Sequence, residues 1–322
     1  MSDQKTLQVV LLIALPASGK SEVRKYLEHM PVEKRISDFH MGDTVQFDDF
    51  PYVHLMRCVD QELVKLGKPR LFYHADDKPF YRGEDWGTLI ELLNDDYEEI
   101  VNKKAVKFTS VVDYYLDRID AAGEKVGLPK RIATLGDDVR AVFRKTLEQE
   151  CAKMFADKQK LLAADLKGKT VVIEFARGGP QGSSMPLTGG FGYQYSLAKL
   201  SAPILDKAVL LYIWVTPEES RRKNQDRSDP NDPGSILHHG VPEAVMLGDY
   251  GCDDIEWLEQ HSEVPGTITI KAHGKTYHPP ISKFDNRKDK TSFLRVDPDK
   301  WNPEDVRAIH EGLKATLDKL VK

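Results

Sequence analysis

The stretch VVLLIALPASGKSEVRKYL, residues 9–27, joins a run of aliphatic residues to an amphipathic segment. The nearly continuous aliphatic residues from 7 to 14 are typical of a parallel strand that is covered on both faces. After the join, Val23, Tyr26 and Leu27 recur at helical spacing, which predicts a helix with one buried side. The octapeptide ALPASGKS at 14–21 therefore connects a buried strand to a helix.

This octapeptide fits the pattern G-x-x-x-x-G-K-[ST], with Ala14 in the position of the first glycine. A loop between a strand and a helix presents backbone N–H groups and the positive end of the helix dipole to an anion. Gly19 lets the backbone approach phosphates closely, an exposed Lys20 reaches the terminal phosphates, and Ser21 offers its hydroxyl to Mg²⁺. The residues expected to bind a nucleotide are Leu15, Pro16, Ala17, Ser18, Gly19, Lys20 and Ser21.

Composition limits the class of protein. The chain has 322 residues, of which 40% are apolar, enough for one large domain or one domain with an insertion. The net charge is −5 and both signs are mixed along the chain, so nucleic acid is not an expected partner. Three distant cysteines, Cys58, Cys151 and Cys252, favour a reducing compartment and argue against a zinc site. The run 9–14 is too short to span a bilayer and follows no basic signal-peptide start, so we expect a cytoplasmic protein without a membrane partner.

Further strands are predicted at short aliphatic runs. KTVVIEFA (169–176) and KAVLLYIWV (207–215) are bounded by polar residues and predict two more buried strands, whereas GTITIKA (266–272) alternates and predicts a strand nearer the edge. One strand is expected between residues 34 and 49, either in RISDFH or in DTVQF, and the sequence does not decide between them. Strands separated by helices indicate an α/β fold with a mainly parallel sheet.

Between these strands, residues 85–165 carry apolar side chains at spacings of three and four and predict an inserted helical subdomain. Asp85, Ser110 and Asp137 lie where N-caps are expected, and Gly123 where a helix should end. The expected organisation is a core of residues 1–84 and 166–322, with a lid at about 217–240 and a helical insertion at 85–165. A final helix is predicted from Val306, Ile309, Leu313, Leu317 and Leu320, which share one face.

The loop pattern, its position near the N-terminus and the order of strands resemble the P-loop group of small-molecule kinases. A GTPase would carry a base-reading motif similar to N-K-x-D, which this sequence lacks. Motor ATPases place an acidic pair at the end of a strand, where VVIEFARGG has a single acid. The resemblance implies a three-layer P-loop sandwich with a mainly parallel sheet, with ATP as co-substrate and Mg²⁺ as cofactor.

Two alignments of the acceptor side remain open. VQFDDFPYV (45–53) is similar to the strand end of uridine kinase and nicotinamide riboside kinase, which makes Asp48 the acid facing the acceptor hydroxyl and Asp49 its substrate-binding neighbour. Pro51 departs from the aromatic residue of those families. FHMGDTV (39–45) is instead similar to adenylate kinase, where an arginine soon afterwards holds an acceptor phosphate. Here the next arginine, Arg57, comes much later.

Other stretches complete the expected site. Glu174 ends a core strand and is predicted as a ligand of the metal or its water, while Arg177, similar to a Glu-Arg pairing in deoxynucleoside kinases, is predicted to contact the acceptor. The glycine-rich segment beyond it is expected to fold over substrate. VTPEESRRKNQDR (215–227) resembles the strand-to-lid passage of P-loop kinases, with Thr216 as N-cap. The residues expected to neutralise the transferring phosphoryl group are Arg221, Arg222 and Arg227.

The sequence thus predicts an ATP- and Mg²⁺-dependent kinase that acts on a hydroxyl of a small nucleoside- or sugar-like metabolite. The alternatives are a nucleoside monophosphate kinase and a nucleotide-dependent switch or assembly factor that acts through a protein partner. The aromatic residues of 72–86, Trp86 included, are expected to pack between core and insertion rather than to line an acceptor pocket.

Overall fold

The structure is a computed structural model that describes residues 6–163, 165–227 and 240–321, with the side chain of Arg227 left out. The outer part of the expected lid lies outside the described residues. The same holds for most of RSDPNDPGSILHHG (227–240), whose Pro, Gly, Asp and Ser content predicts a mobile loop.

Five parallel strands form the main sheet, in the order β2-β3-β1-β4-β7. The seven strands are β1 (Val9–Ile13), β2 (Thr44–Asp48), β3 (Thr170–Phe175), β4 (Ala208–Trp214), β5 (Ile270–Ala272), β6 (Lys275–Tyr277) and β7 (Ile281–Asp285). The predicted strands β1, β3 and β4 are confirmed, and they occupy the centre of the sheet.

Helices cover both faces of the sheet. In chain order they are α1 (Lys20–His29), α2 (Val32–Phe39), α3 (Phe50–Lys65), α4 (Asp85–Val101), α5 (Val111–Lys125), α6 (Asp137–Thr146), α7 (Glu148–Leu162), α8 (Gly192–Lys199), α9 (Ala202–Leu205), α10 (Pro217–Arg227), α11 (Glu243–Gly248), α12 (Ile255–Gln260) and α13 (Pro303–Leu317). Side chains of β1 alternate between two clusters: Leu11 packs with α4 and α8, and Leu12 with α1 and α13. A third cluster joins α3 to the helices of 85–162.

Helix α4 belongs to two of these clusters. Its residues Ile90, Leu93 and Tyr97 pack on the sheet, while Leu89 and Leu92 face α3 and α5. The segment expected as a separate insertion is therefore helical, but its first helix is also a layer of the sheet domain.

The second strand was expected in either RISDFH or DTVQF, and the structure places it in DTVQF. DTVQF holds β2, where Val45 and Phe47 face the core, whereas RISDF lies in α2, with Arg35 and Phe39 buried four residues apart. The prediction for 266–272 was wrong in part: only Ile270–Ala272 is a strand, and it pairs with β6 in an antiparallel hairpin outside the main sheet. The sheet edge is β7 instead.

Of the four residues predicted at helix ends, one is confirmed and three differ. Ser110 is an N-cap as predicted, since its Oγ accepts the Asp113 N–H at 3.2 Å. Asp85 and Asp137 are first helical residues rather than caps. Gly123 lies inside α5, and Gly127, two residues beyond the helix, has the left-handed φ of +90°. The face of α13 is confirmed by the burial of Ile309, Leu313 and Leu317, with Leu320 buried just beyond the helix.

The glycine-rich segment after β3 is packed rather than open. Gly179 pairs with Cys252, the Gln181 N–H donates to Leu247 O at 2.8 Å, and a Cβ on Gly190 would lie 2.3 Å from the backbone of Gly83. The glycines thus permit close approach of backbones, and the segment is bonded to the 247–252 segment. That it folds over a substrate stays a prediction. Within the described ranges no helix is long and apolar enough to cross a membrane.

Candidate functional site

The 14–21 loop leaves the carboxyl end of β1 and enters α1 at Lys20. Ala17 and Gly19 take positive φ values, +54° and +103°. A Cβ on Gly19 would lie 2.4 Å from Thr291 Oγ1 and 2.8 Å from Asn286 Nδ2, so both the dihedral angle and the space require glycine there.

Four side chains, three of them from distant elements and one from the loop itself, fix carbonyl groups of this loop. Because N–H and C=O point in opposite directions across a trans peptide, carbonyls bound on the protein side direct the N–H groups of Ala17 and Gly19 toward the cleft that the loop lines. Amide groups so directed are suited to bind an anion at the start of α1. The bonds run from Tyr193 Oη to Ala14 O (3.0 Å), from Ser18 Oγ to Leu15 O (2.6 Å), from Ser220 Oγ to Pro16 O (2.7 Å) and from Asn286 Nδ2 to Ser18 O (2.7 Å).

The loop lines a cleft of about 200 Å³ outside the carboxyl ends of the central strands. Lys20 and Ser21 both line it. The expectation that Lys20 is exposed was wrong, because only 9% of the residue is accessible at the bottom of the cleft. In this partly buried position a charge acts more strongly than it does in water.

Asp48 and Glu174 lie side by side in this cleft, since β2 and β3 pair in register at these two residues. Burial, followed by the nearby charges of Glu174 and Asp49, raises the pKa of Asp48 to about 7. The Phe50 N–H donates to Asp48 Oδ1 at 2.8 Å, and Arg24 Nη1 lies 3.2 Å from Glu174 Oε2. Asp48 therefore titrates near neutral pH, which suits a group that takes up a proton.

Asp49 and Arg177 form an ion pair beneath the cleft, with Arg177 Nη1 2.6 Å from Asp49 Oδ2. Arg177 has no exposed surface and also donates to Ser196 Oγ at 2.9 Å and Trp86 O at 3.2 Å. Its guanidinium group is enclosed, so the structure places Arg177 as a support for Asp49 and not at the cleft surface. Asp49 itself does line the cleft.

Helix α10 brings a different basic residue inward from the ones predicted. Thr216 caps the helix, with its Oγ1 accepting the Glu219 N–H at 3.2 Å. Arg221 pairs with Glu218, and the half-exposed Arg222 pairs with Glu219 and Asp226, so neither lines the cleft. Of Arg227 only the backbone is described. The buried cation is Lys223, whose Nζ lies 2.7 Å from Asp289 Oδ1.

Comparisons with protein-family models, with curated proteins and with solved structures give no match for this chain. The likeness of the 14–21 loop to a P-loop therefore rests on the residues and geometry of this chain alone.

The donor set of the cleft fits Mg²⁺. Ser21 supplies a hydroxyl at the start of α1, and Glu174 supplies a carboxylate. Among the residues that the structure describes, no three His, Cys, Asp or Glu side chains are grouped so as to hold a metal by themselves. Mg²⁺ commonly takes one or two protein ligands and completes its shell with substrate phosphates and water, so this set is sufficient beside a bound nucleotide.

The far end of the cleft contains residues that sequence reasoning did not assign to the site. Burial raises the pKa of Asp249 to about 7, its Oδ1 has no hydrogen-bond partner, and Arg57 and Trp86 line the cleft beside it. The aromatic residues of 72–86 were expected to pack rather than to line a pocket, and here they do both. Those at this end are Tyr73, Phe80 and Trp86, and Tyr250 from the 247–252 segment lies beside Trp86.

Proposed function

We propose that this protein is an ATP- and Mg²⁺-dependent phosphotransferase that transfers the γ-phosphoryl group to a hydroxyl of a small metabolite. The observation that carries the proposal is that the 14–21 loop and Asp48 line one cleft at the carboxyl edge of the sheet. In open α/β sheets ligands bind at this edge. An anion site and a carboxyl group that titrates near pH 7 are thus within reach of the same ligand.

Phosphoryl transfer requires no reactant other than ATP, the acceptor hydroxyl and the Asp48 carboxylate. The acceptor oxygen attacks the γ-phosphorus, the bond from that phosphorus to the β,γ-bridging oxygen breaks, and ADP leaves with both electrons of that bond. The hydroxyl proton passes to the Asp48 carboxylate. Lys20 neutralises charge on the phosphate oxygens, while the Ala17 and Gly19 amides hold the nucleotide in place. Ser21 and Glu174 would hold Mg²⁺, which would supply further positive charge beside these oxygens.

The position of Asp43 disfavours the nucleoside monophosphate kinase. That alternative aligns Asp43 with the acceptor side, yet this residue precedes β2, roughly 16 Å along the strand from Asp48 at about 3.3 Å per residue. Its carboxylate lies 3.3 Å from Lys169 Nζ and 3.4 Å from Arg35 Nη2, and is exposed at the opposite edge of the sheet. The switch or assembly factor remains the other candidate, and it predicts ATP hydrolysis without an acceptor.

The test is ADP formation by the full chain with Mg²⁺-ATP, in the presence and absence of a panel of alcohols. Lys20→Ala should lower turnover by roughly two to three powers of ten, as removal of one charge-stabilising donor typically does. Lys25→Ala is the matched control on the same helix, because its Nζ donates to Arg295 O and Val296 O, away from the cleft. Equal turnover in the Lys20→Ala variant and the wild-type protein would exclude the proposed function, and acceptor-independent ADP formation would favour the switch.

A further inference from the structure

A second cavity, the insertion cavity, lies between the carboxyl end of β2 and helices α3, α4, α5 and α7. Its volume is about 470 Å³, more than twice the 200 Å³ of the cleft. Asp48, Phe50 and His54 line both spaces, so the two meet at Asp48. A molecule in the insertion cavity therefore reaches the carboxyl group to which the proposed function assigns the acceptor hydroxyl.

The proposed function separates the roles of the two spaces, because the nucleotide phosphates require the loop end of the cleft. Pockets for small organic molecules are typically about 300–1,000 Å³. The insertion cavity falls inside the range and has no anion-binding loop. The body of an acceptor fits the insertion cavity, while only its hydroxyl needs to enter the cleft.

The walls of the insertion cavity have an extensive apolar part beside their polar residues. Phe47, Ile100, Tyr115, Met154 and Leu161 contribute to this apolar part, and they come from β2 and three helices. Apolar walls favour a ligand body that is itself apolar, because its burial removes nonpolar surface from water.

The buried charges at the cavity are paired within the protein. Asp96 accepts from Lys158 at 2.7 Å, from Arg118 at 2.8 Å and from the Tyr52 hydroxyl at 2.7 Å. Asp157, at the rim, pairs with Lys160 at 2.7 Å. The ionisable groups that remain toward a ligand include Asp48, Glu150 and the exposed Lys153, two acids against one base, which does not favour an anionic ligand.

We propose that the acceptor is an uncharged alcohol with a mainly apolar body, which fills the insertion cavity and presents its hydroxyl to Asp48. This inference rests on the proposed function and narrows its substrate. Acceptors that already carry a phosphate are disfavoured, since the cavity is lined by four carboxylate residues against two lysines. The insertion is then the part of the chain that selects the acceptor.

The experiment uses geraniol and cinnamyl alcohol as probes, with uridine and glycerol phosphate as polar comparisons. Binding to the full chain without ATP is measured by saturation-transfer NMR, and ADP formation is measured with Mg²⁺-ATP. Met154→Trp fills the cavity and should raise the Kd of the apolar alcohols at least tenfold while ATP affinity stays unchanged. Phe155→Trp is the matched control, because Phe155 packs on Phe108 and Tyr114 and does not line the cavity.

A second variant keeps the test decisive if Met154→Trp does not fold. Met154→Ala enlarges the cavity and should shift the preference from cinnamyl alcohol toward a longer terpenoid alcohol, farnesol. ADP formation with uridine or glycerol phosphate but not with the apolar alcohols would overturn the inference and leave the proposed function standing. Binding of the apolar alcohols that Met154→Trp does not weaken would also overturn it. Absence of ADP formation with every alcohol would instead overturn the proposed function.

Discussion

In the proposed reaction, Asp48 is the residue that accepts the proton of the acceptor hydroxyl. It ends β2 beside Glu174, and burial together with the neighbouring carboxylates raises its pKa to about 7. A general base must be deprotonated to accept a proton, so its active form predominates above that pH. Asp49, next in sequence, is instead fixed by Arg177 and positions the start of α3.

Replacement of Asp48 by asparagine tests this role. Asp48→Asn preserves size and an acceptor for the Phe50 N–H but removes the proton acceptor, so turnover should fall by roughly two to four powers of ten with little change in ATP affinity. In the wild-type protein, kcat/KM for ATP should rise as pH increases through about 7, the pKa of Asp48 in the ligand-free protein, and this rise should be absent in the variant. The measurement is a pH profile of kcat/KM for ADP formation.

Asp43→Asn provides the comparison, because Asp43 is an exposed acid of the same strand region. It should retain turnover close to that of the wild-type protein. A large loss in Asp43→Asn with full activity in Asp48→Asn would reverse the assignment and favour an acceptor that carries a phosphate.

At the scale of elements, the 14–21 loop is held by parts of the chain far from it in sequence. Tyr193 of α8, Ser220 of α10 and Asn286 after β7 each bind one of its carbonyls. Helix α10 is in turn tied to the segment after β7 by Lys223 and Asp289. Burial alone would raise the pKa of Asp289. Hydrogen bonds from Lys223 and Ser292 outweigh this effect and lower the pKa to about 2. The geometry of the loop therefore depends on α10 and β7 together.

Lys223→Ala should destabilise the protein and weaken ATP binding, because the carboxylate of Asp289 loses its partner and the support of the loop shifts. The loss of stability should be smaller than the about 3–5 kcal/mol typical of broken buried pairs, since 30% of the Asp289 side chain is exposed. Thermal melting and ATP titration measure the two effects. Arg222→Ala, one residue away in exposed pairs, should change stability by less than about 1 kcal/mol. Equal effects in the two variants would show that Lys223 does not connect α10 to the loop.

At the scale of the whole molecule, local patterns predicted the centre of the sheet and the 14–21 loop, because β1, β3 and β4 are buried on both faces and read as aliphatic runs. Strand β7 was not predicted, because its sequence, ISKFD, contains few apolar residues, as is common for a strand at the edge of a sheet. Within the site, Asp48 could be predicted because it lies at the end of an alternating strand.

The rest of the site could not be predicted, because it forms only through tertiary contacts. Arg57, Trp86 and Asp249 meet in the cleft from three separate segments of the chain. For the same reason, the sequence predicted basic residues on α10 but not which of them is buried. The insertion cavity likewise requires β2 and α7, which are about a hundred residues apart.

Several buried carboxyl groups make the stability of the molecule depend on pH. Burial is the main cause that raises the pKa of Asp48 and Asp249 to about 7 and that of Asp253 to about 6. Because these pKa values lie above the unfolded value of about 3.8, the folded state binds more protons than the unfolded state between about pH 4 and 7. Their contribution to stability is complete below this window and is lost as pH rises through it. Asp285 and Asp289, with pKa values of about 2, act in the opposite sense and lose their contribution only as pH falls from about 4 toward 2.

We therefore expect the ligand-free protein to melt at a higher temperature at about pH 5 than at about pH 8, with each raised carboxyl contributing a slope of up to ~1.4 kcal/mol per pH unit. Calorimetric melting across this range measures the effect. Asp249→Asn removes one titrating group while it keeps an acceptor oxygen, so it should reduce the difference by raising the melting temperature mainly at the higher pH. Asp77→Asn, an exposed acid away from the cleft, should leave the profile unchanged. A melting temperature that increases from pH 5 to pH 8 would show that these carboxyl groups are not held protonated in the folded protein, and Asp48 would then lack the raised pKa on which the predicted pH dependence of kcat/KM relies.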